Sequence, residues 1–177
     1  FLFYSYMRVR EACALKVQDY ECINGEGYIN IKSTISRAGN IWYIDTPKYK
    51  SGIRRIKLGN EMKTLIEEKI KEKNPQELIW CQANGDFVKY TSLEKPFKNM
   101  ITRIGCSKNL SIHSLRHTGI SFALRHGANI AAVSKNAGHT SIAITQDIYQ
   151  HILQKEKDEA VELAEAALTK LIWKAEE

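Results

Sequence analysis

The chain has 177 residues, 44% of them hydrophobic, which is enough for one sizeable globular domain and argues against disorder throughout the chain. No apolar run approaches the roughly 18 residues of a membrane span, the opening FLFYSYM lacks the basic start of a signal peptide, and the four cysteines show no C-x-x-C spacing. These features argue against a membrane protein, a zinc module and a disulfide scaffold, and they predict a soluble cytoplasmic protein.

The net charge of +6 is unevenly distributed along the chain. Residues 151–177 contain 4 basic and 7 acidic residues, so the preceding residues hold 22 basic and 13 acidic residues and carry a charge of +9. A basic body followed by an acidic tail favours a phosphate-binding surface and a separate segment with another partner. An ordinary basic domain would show the same charge, so the motifs have to decide between the two.

The first part of the chain is predicted to form a helix followed by a small sheet. Residues 1–16 have apolar positions that suit burial on one helix. The hydrophobic period then shifts towards two, which predicts strands in the segments GYINIK, NIWYIDT and IRRIKL. We expect these three strands to form a small antiparallel sheet whose last turn presents Lys48 and Lys50. The fold class is therefore α+β, and the remaining segments make it mostly α-helical.

Two scaffold helices are predicted after the sheet. Residues 60–73 show a helical pattern that ends before Asn74 and Pro75. Thr91 and Glu94 have the spacing of a capping box, which predicts a helix near residues 92–104.

The most motif-rich part of the chain follows. A helix is expected to start near His113 and to end at Gly127, a suitable C-terminal stop. Two short helices over residues 130–136 and 141–149 are separated by the turn AGHT, in which Gly138 adopts a backbone shape that other residues resist. His139 therefore lies in a tight turn.

The tail is predicted to be an amphipathic helix with an acidic polar face. Its apolar stripe consists of Val161, Ala164, Leu168, Leu171 and Ile172. Such a helix either folds back onto its own domain or docks on another molecule.

Five side chains are of the types needed for phosphoryl transfer to a tyrosine: Arg8, His113, Arg116, His139 and Tyr149. A phosphodiester under attack gathers charge on its non-bridging oxygens, and a guanidinium group stays protonated and can hold two of these oxygens at once. The tyrosine hydroxyl has an ordinary pKa of about 10 and needs a cationic, hydrogen-bonding pocket to attack near neutral pH. The three-residue spacing of His113 and Arg116 lets both reach one phosphate from a helix.

Five segments resemble, in order, the successive boxes of the tyrosine recombinases, or phage-type integrases. They are YMRVREACAL, TPKYKSGIRRIKL, HSLRHTGIS, VSKNAGHTS and TQDIYQH, and the resemblance spans roughly residues 1–152. The ten residues from His139 to Tyr149 are a spacing common in integrases of phages and conjugative transposons. The chain is thus expected to be a site-specific DNA recombinase of a bacterial mobile element, such as a prophage or transposon.

The resemblance implies a mechanism and its residues. Tyr149 attacks the scissile phosphate, which gives a 3′-phosphotyrosyl link and a free 5′-hydroxyl that attacks a partner's phosphotyrosine. Because the covalent link retains the energy of the broken bond, no ATP, metal ion or other cofactor is expected. His113 and His139 support proton transfer and bind phosphate oxygens, while Glu11 orients Arg8 through a charge-assisted hydrogen bond.

The general acid of the family is a lysine in a β-hairpin, and the TPK pattern assigns this role to Lys48, with Lys50 as the nearby rival. Without the resemblance, both would be read equally well as solvated turn lysines. His117, beside Arg116, is interpreted as structural or supporting rather than catalytic.

Two residues of the first box depart from the family pattern, because Tyr6 and Arg10 stand where many relatives carry glycine. Arg10 either contacts phosphate or is a solvated helix residue, of which the second is preferred. Base readout cannot be assigned from the sequence, because five basic residues are equally plausible as contacts to the DNA backbone or as solvated charges: Arg37, Lys95, Lys98, Arg103 and Lys135.

The resemblance also predicts the organisation and partners of the protein. Residues 1–152 form the catalytic domain of a longer protein that continues before Phe1, and residues 153–177 form a tail exchanged between protomers. The partners are a double-stranded DNA recombination site on the nucleoid, three further copies in a tetramer on DNA, and an accessory excision factor. The chain alone is expected to be a monomer.

Two other functions remain open from the sequence. A type IB topoisomerase-like enzyme would use the same phosphotyrosine chemistry to nick and close DNA without exchanging partners. A DNA-binding module that no longer cleaves would have no need of Tyr149.

Overall fold

The computed structural model describes residues 1–106, 109–150, 154 and 161–163. The expected fold-back or exchange of the tail therefore lies outside the described residues, apart from residues 154 and 161–163, which are helical. The described chain is an α+β fold of short helices around two small antiparallel sheets, as predicted. No helix within it is long and apolar enough to cross a membrane.

The N-terminal segment forms two short helices, α1 (Leu2–Ser5) and α2 (Val9–Ala12), so the prediction of one helix over residues 1–16 is wrong. The break lies at Tyr6, which ends α1 with a φ of 52°, in the left-handed region where glycine is the favoured residue. Arg8 then has an extended backbone and forms the N-cap of α2. The break thus sets Arg8 at a helix start, where its backbone and side chain can both bind Glu11.

The sheet contains three antiparallel strands in the order β1 (Tyr20–Ile23), β2 (Glu26–Ile31) and β5 (Arg54–Lys57). The prediction of a small three-stranded sheet is confirmed, but its third member is β1. The predicted strand at 40–46 is β4 (Ile41–Asp45), which instead pairs with β3 (Thr34–Ala38) in a separate hairpin.

Strands β1 and β3 are additional to the three predicted strands, and the turn between β1 and β2 explains the first of them. Asn24 and Gly25 both have positive φ, 52° and 80°, which is the backbone of a tight two-residue hairpin turn. An Asn-Gly pair is the strongest short-range hairpin signal in a sequence, so the signal was present although the strand prediction missed it.

The larger core lies between the three-stranded sheet and α3 (Asn60–Ile70). Alternate residues of β2 and β5 face it, which is the period-two pattern of strands with one covered face. The fully buried side chains of this core are Met7, Ile29, Ile31, Ile66 and Ile79. Helix α3 starts as predicted and ends three residues earlier than residue 73.

Helix α4 (Glu94–Arg103) confirms the predicted helix, but the capping box does not form. Residues Tyr90–Leu93 form a 3₁₀ turn that leads into α4, so Thr91 lies inside this turn and Leu93 is the N-cap, without a side-chain cap.

The smaller core is built from α5 (Ser114–Arg125), α6 (Ile130–Ala137) and the helical residues 142–150, labelled α7. All three confirm the predicted helices, with His113 as the N-cap of α5. Helix α1 packs closely on α5, because a Cβ at Gly119 would lie 2.0 Å from the carbonyl oxygen of Phe3.

Candidate active site

Glu11 is the buried carboxylate at the centre of the site, with 2% of its surface exposed. Arg54 donates to both of its oxygens, from Nη1 to Oε1 at 3.1 Å and from Nη2 to Oε2 at 2.8 Å. Arg8 donates its backbone N–H to Oε2 at 2.9 Å and its Nη1 to Oε1 at 2.8 Å. The four hydrogen bonds hold the carboxylate and both guanidinium groups in place.

The charge state of Glu11 follows from these contacts. Burial on its own raises the pKa of this carboxyl, but the hydrogen bonds and positive charges of Arg54 and Arg8 outweigh burial and hold the pKa below its ordinary value. Glu11 is therefore an anion at neutral pH.

The C-terminal end of α6 organises three arginines, Arg8, Arg54 and Arg116, which we call the arginine triad. Three successive carbonyls each accept from a different member: Asn136 from Arg54 Nε at 2.7 Å, Ala137 from Arg116 Nη2 at 2.8 Å and Gly138 from Arg8 Nη2 at 3.2 Å. The last carbonyls of a helix have no partner within the helix and carry the negative end of its dipole, so they suit cations.

Arg116 is the most deeply buried member of the triad, with 2% of its surface exposed. Its Nη1 donates to the carbonyl of Tyr6, so the left-handed backbone at Tyr6 supplies a ligand to this arginine. Burial and then the charge of Arg8 lower the pKa of Arg116 to about 9, which leaves it a cation at neutral pH. Among the described residues, Arg116 has no carboxylate within 4 Å.

Gly138 is the point where α6, Arg8 and Arg54 meet. It ends α6 with a φ of 70°, as predicted for this turn. A Cβ at this position would lie 2.7 Å from Arg54 Nη1 and 2.9 Å from the carbonyl oxygen of Ser51. The glycine is thus required both by the backbone shape and by the close approach of Arg54.

His139 follows Gly138 and is half-buried beside the triad. Its Nδ1 shares a hydrogen bond of 2.7 Å with the hydroxyl of the buried Thr145. Burial and then the charges of Arg116, Arg8, His117 and Arg54 lower the pKa of His139 to about 4. The imidazole is therefore neutral at pH 7, and Nε2 remains for another partner.

His113 and His117 form a pair at the start of α5, with ring centroids 4.8 Å apart in an edge-to-face arrangement. Burial, His117, Arg116 and Arg8 lower the pKa of His113, in that order. Burial and Arg116 lower the pKa of His117. Because the charge of His117 also acts on His139, the structure places His117 near the site.

Lys48 lies in a cleft of about 640 Å³ whose lining also includes Arg8, Glu11 and Gly138. Its ammonium nitrogen is 5.4 Å from the ring centroid of Tyr49, and both side chains are exposed. Lys50 does not line this cleft. Lys48 and Lys50 follow β4, in the segment before β5, rather than the turn of a hairpin.

The structure places Tyr149, the expected nucleophile, against the hydrophobic cluster of α5 and α6. Its half-buried side chain packs on the cluster of Ile120, Leu124, Val133 and Ala137. Within the described residues, no hydrogen bond links its hydroxyl to Arg8, Arg116 or His139. Tyr149 thus lies on the helix that follows His139, against the same core.

Arg54 is the functional residue that the sequence interpretation missed. It lies on β5 two residues before the buried Ile56, and alternate strand residues share a face. An arginine in register with the apolar face of a strand needs buried partners, and this pattern was the available signal.

With its three guanidinium groups and one carboxylate, the site has an excess of positive charge next to an open cleft. The side chain of Arg8 remains 40% exposed, so part of its guanidinium can bind an anion. Neutral imidazoles alongside can accept or relay a proton. No group of three or more His, Cys, Asp or Glu side chains in residues 1–106 and 109–150 is placed to hold a metal ion.

Residues 1–156 match the phage integrase family. The integrase of a Staphylococcus phage is 26% identical to this chain over an alignment of 180 positions, which covers 94% of this chain and 49% of the phage protein. Tyrosine recombinase XerC of Bacillus subtilis is 23% identical over 146 residues, which cover 82% and 45%. The chain thus spans about half the length of these relatives.

Two solved structures resemble the fold. The Tn1549 transposon integrase in complex with transposon right end DNA superimposes with a TM-score of 0.73 and 21% identity, over 89% of this chain and 56% of that one. The XerH site-specific recombinase bound to a palindromic substrate gives a TM-score of 0.66 and 23% identity, over 93% and 44%. The predicted catalytic fold is thereby confirmed.

Proposed function

The chain belongs to the phage integrase family, and from that premise we propose that it carries the DNA-cleaving site of a site-specific tyrosine recombinase. The observation that supports this function best is the arginine triad held by Glu11 and the α6 carbonyls beside His139. Fixed guanidinium groups near an open cleft suit a phosphodiester whose charge grows during attack.

In the proposed reaction, Arg8 and Arg116 bind the non-bridging oxygens of the scissile phosphate. Arg54 and Glu11 position Arg8 and do not touch the substrate. Hydrogen bonds to Glu11 and to the α6 carbonyls hold the triad in place, so its guanidinium groups need little rearrangement during the reaction. Fixed donors of this kind stabilise a transition state most.

Tyr149 is the proposed nucleophile. Its oxygen forms a bond to phosphorus while the bond to the 5′-oxygen breaks, and Lys48 gives that leaving oxygen a proton. The neutral His113 or His139 takes the proton of the tyrosine. Because the Tyr149 hydroxyl has no hydrogen bond to the triad in the free chain, we infer that DNA binding moves α7 or brings the tyrosine of a neighbouring protomer to the phosphate.

Rejoining reverses these steps with a new 5′-hydroxyl. Exchange of strands needs two duplex sites and several protomers, and we propose a tetramer on DNA, with an accessory factor for excision of a bacterial mobile element. Residues 1–152 would supply the chemistry on the nucleoid, and residues 153–177 would connect protomers.

A nicked suicide substrate tests the proposal. Duplexes taken from the genomic junctions around the element, each nicked next to the candidate cleavage position, release a short oligonucleotide on attack and trap the protein on DNA. We expect a denaturant-resistant complex that mass spectrometry maps to Tyr149 and that Tyr149→Phe does not form. Recombinant joints in a reaction with two unnicked sites are expected too.

Trapping through another residue, or no trapping on any junction, would overturn the proposal. Relaxation of supercoiled DNA without recombinant joints would favour a nicking and closing enzyme.

A further inference from the structure

Arg10 lies outside the arginine triad and is held by an aromatic side chain. Its Nη2 donates to the hydroxyl of Tyr90 at 2.6 Å, and its guanidinium carbon lies 4.4 Å from the centroid of the Tyr90 ring. Tyr90 is half-buried and packs edge-to-face on Trp42, with centroids 5.4 Å apart. The arginine is exposed but immobilised by these contacts.

A second arginine occupies the far side of the same aromatic pair. The guanidinium carbon of Arg37 lies 5.3 Å from the ring centroid of Trp42. Its Nε donates to the carbonyl of Gly39 at 2.6 Å and its Nη2 to the side chain of Asn40 at 3.2 Å. The side chains Arg10, Tyr90, Trp42 and Arg37 thus form a continuous arginine–aromatic row from α2 to the β3–β4 hairpin.

The charges of this row are not neutralised within the described residues, where neither arginine has a carboxylate within 4 Å. A similar stack elsewhere shows the contrast. Arg55 lies 4.1 Å from the ring centroid of Tyr28, but it also forms an ion pair of 3.2 Å with Glu21. The row therefore presents two fixed, exposed guanidinium groups that lack an internal anion.

The position of the row indicates its ligand. Arg10 lines the same cleft as Arg8 and Lys48, and it lies two residues after Arg8 on α2. Arg10 is thus placed to bind a backbone phosphate beside one held at Arg8, and the Tyr90–Trp42 ring contact extends the row from there to Arg37. Planar guanidinium groups that are already stacked on rings lose little freedom when they bind a phosphate.

We propose that the arginine–aromatic row is a second phosphate-binding site, in which Arg10 and Arg37 bind backbone phosphates next to the scissile phosphate. This inference rests on the proposed function. It gives Arg10 and Arg37 the role of positioning residues that fix the register of the DNA strand, while Tyr90 and Trp42 hold them in place.

The salt dependence of DNA binding tests the row. Binding of a junction duplex is measured in the Tyr149→Phe background, where no cleavage occurs, between about 50 and 200 mM salt. Because each lost phosphate contact reduces the slope of log K against log salt by about 0.9, we expect that reduction for Arg10→Ala and about twice that for Arg10→Ala with Arg37→Ala. Arg55→Ala is the matched control and should leave the slope unchanged.

An unchanged slope in Arg10→Ala, or an equal reduction in Arg55→Ala, would overturn the assignment. The variant Tyr90→Phe, which keeps the ring and loses the hydroxyl, tests whether Tyr90 acts through Arg10. It should weaken binding several-fold in the parent background and have no effect in Arg10→Ala. Equal weakening in both backgrounds would contradict the role of Tyr90.

Covalent trapping of the unmutated chain on the nicked substrate, run in parallel, separates the two proposals. If the unmutated chain is trapped while Arg10→Ala keeps the full salt dependence of DNA binding, the phosphate-binding role of the row is refuted and the recombinase function stands. If the chain is not trapped on any junction, the proposed function fails and the row loses its basis.

Discussion

At the scale of single residues, the site depends on charges that are buried together and compensate one another only in part. Glu11 neutralises one of the three positive charges of the arginine triad, and the α6 carbonyls, together with those of Tyr6 and Gly52, supply further uncharged ligands. A site with this balance keeps a net positive charge, which is what an anionic substrate requires.

Replacement of Glu11 by glutamine should be strongly destabilising. Loss of one partner from a buried ion pair leaves Arg54 uncompensated and should lower the free energy of unfolding by about 3 kcal/mol at pH 7. Because the pKa of Glu11 is lowered in the fold, its contribution is present above the ordinary carboxyl pKa and is lost as pH falls below it. Urea denaturation measures both effects.

The exposed pair of Glu21 and Arg55 provides the control for Glu11. Glu21→Gln should change the free energy of unfolding by less than about 1 kcal/mol. Equal losses of unfolding free energy in Glu11→Gln and Glu21→Gln would show that the buried carboxylate stabilises the fold no more than the exposed one.

His139 should remain neutral over the range in which ordinary histidines titrate. Its pKa of about 4 lies below the usual value of about 6.5, so NMR should detect its protonation only below about pH 5. Because this pKa is lower in the folded chain, the unfolded chain binds the proton of His139 at a higher pH than the folded chain does. The free energy of unfolding should therefore decline as pH falls from about 6.5 towards 4. A titration midpoint near 6.5 in the free protein would contradict the position of His139 beside Arg116 and Arg8.

At the scale of elements, the end of α6 is the feature that joins distant parts of the chain. Its carbonyls bind arginines from α2, β5 and α5, and the glycine at its end admits Arg54. The packing of these elements therefore depends on one helix terminus.

Gly138→Ala should be more destabilising than Gly127→Ala. Both glycines follow helices with positive φ, 70° and 82°, but a Cβ at Gly127 meets no atom of the described residues within 4 Å. We expect about 1 kcal/mol from backbone strain at Gly127 and a further 1 to 3 kcal/mol at Gly138, where Arg54 or the Ser51 carbonyl must move. Equal losses in thermal or urea unfolding would contradict the close approach of Arg54.

The elements also show what local sequence patterns can predict. The helices around His113, Gly127 and Gly138 have clear start and stop signals, and the structure confirms them. The break at Tyr6 has no such signal, because a left-handed tyrosine is selected by its carbonyl contact with Arg116, 110 residues away. Arg54 was missed for the same reason, since its partners Glu11 and Asn136 are remote in sequence.

At the scale of the whole molecule, the arginine triad draws on elements whose apolar residues belong to different hydrophobic clusters, since Arg54 lies on β5 and Arg116 on α5. Motif order predicted Arg8, Arg116 and His139 as site residues, and the structure brings these three side chains together at the end of α6. Periodicity could not predict how Tyr149 sits relative to the cations, because that distance depends on how α7 packs and on what the site binds.

The acidic tail gives a prediction at this scale. Removal of residues 155–177 removes 4 basic and 7 acidic residues, so binding of one protomer to one site should not weaken. If the tail connects protomers, complexes with two DNA sites should be lost in a gel-shift assay. Unchanged assembly of these complexes would contradict the proposed exchange.

The central claim is that Arg8 stabilises charge on the phosphate that Tyr149 attacks. Single-turnover cleavage of the nicked substrate, compared with one that carries an uncharged methylphosphonate at the scissile position, tests it most directly. Loss of one such donor costs about 100-fold or more in rate, so Arg8→Ala should slow cleavage of the phosphate substrate by this factor. On the methylphosphonate substrate, the cleavage rates of Arg8→Ala and of the unmutated chain should differ far less. An equal loss on both substrates would contradict the account.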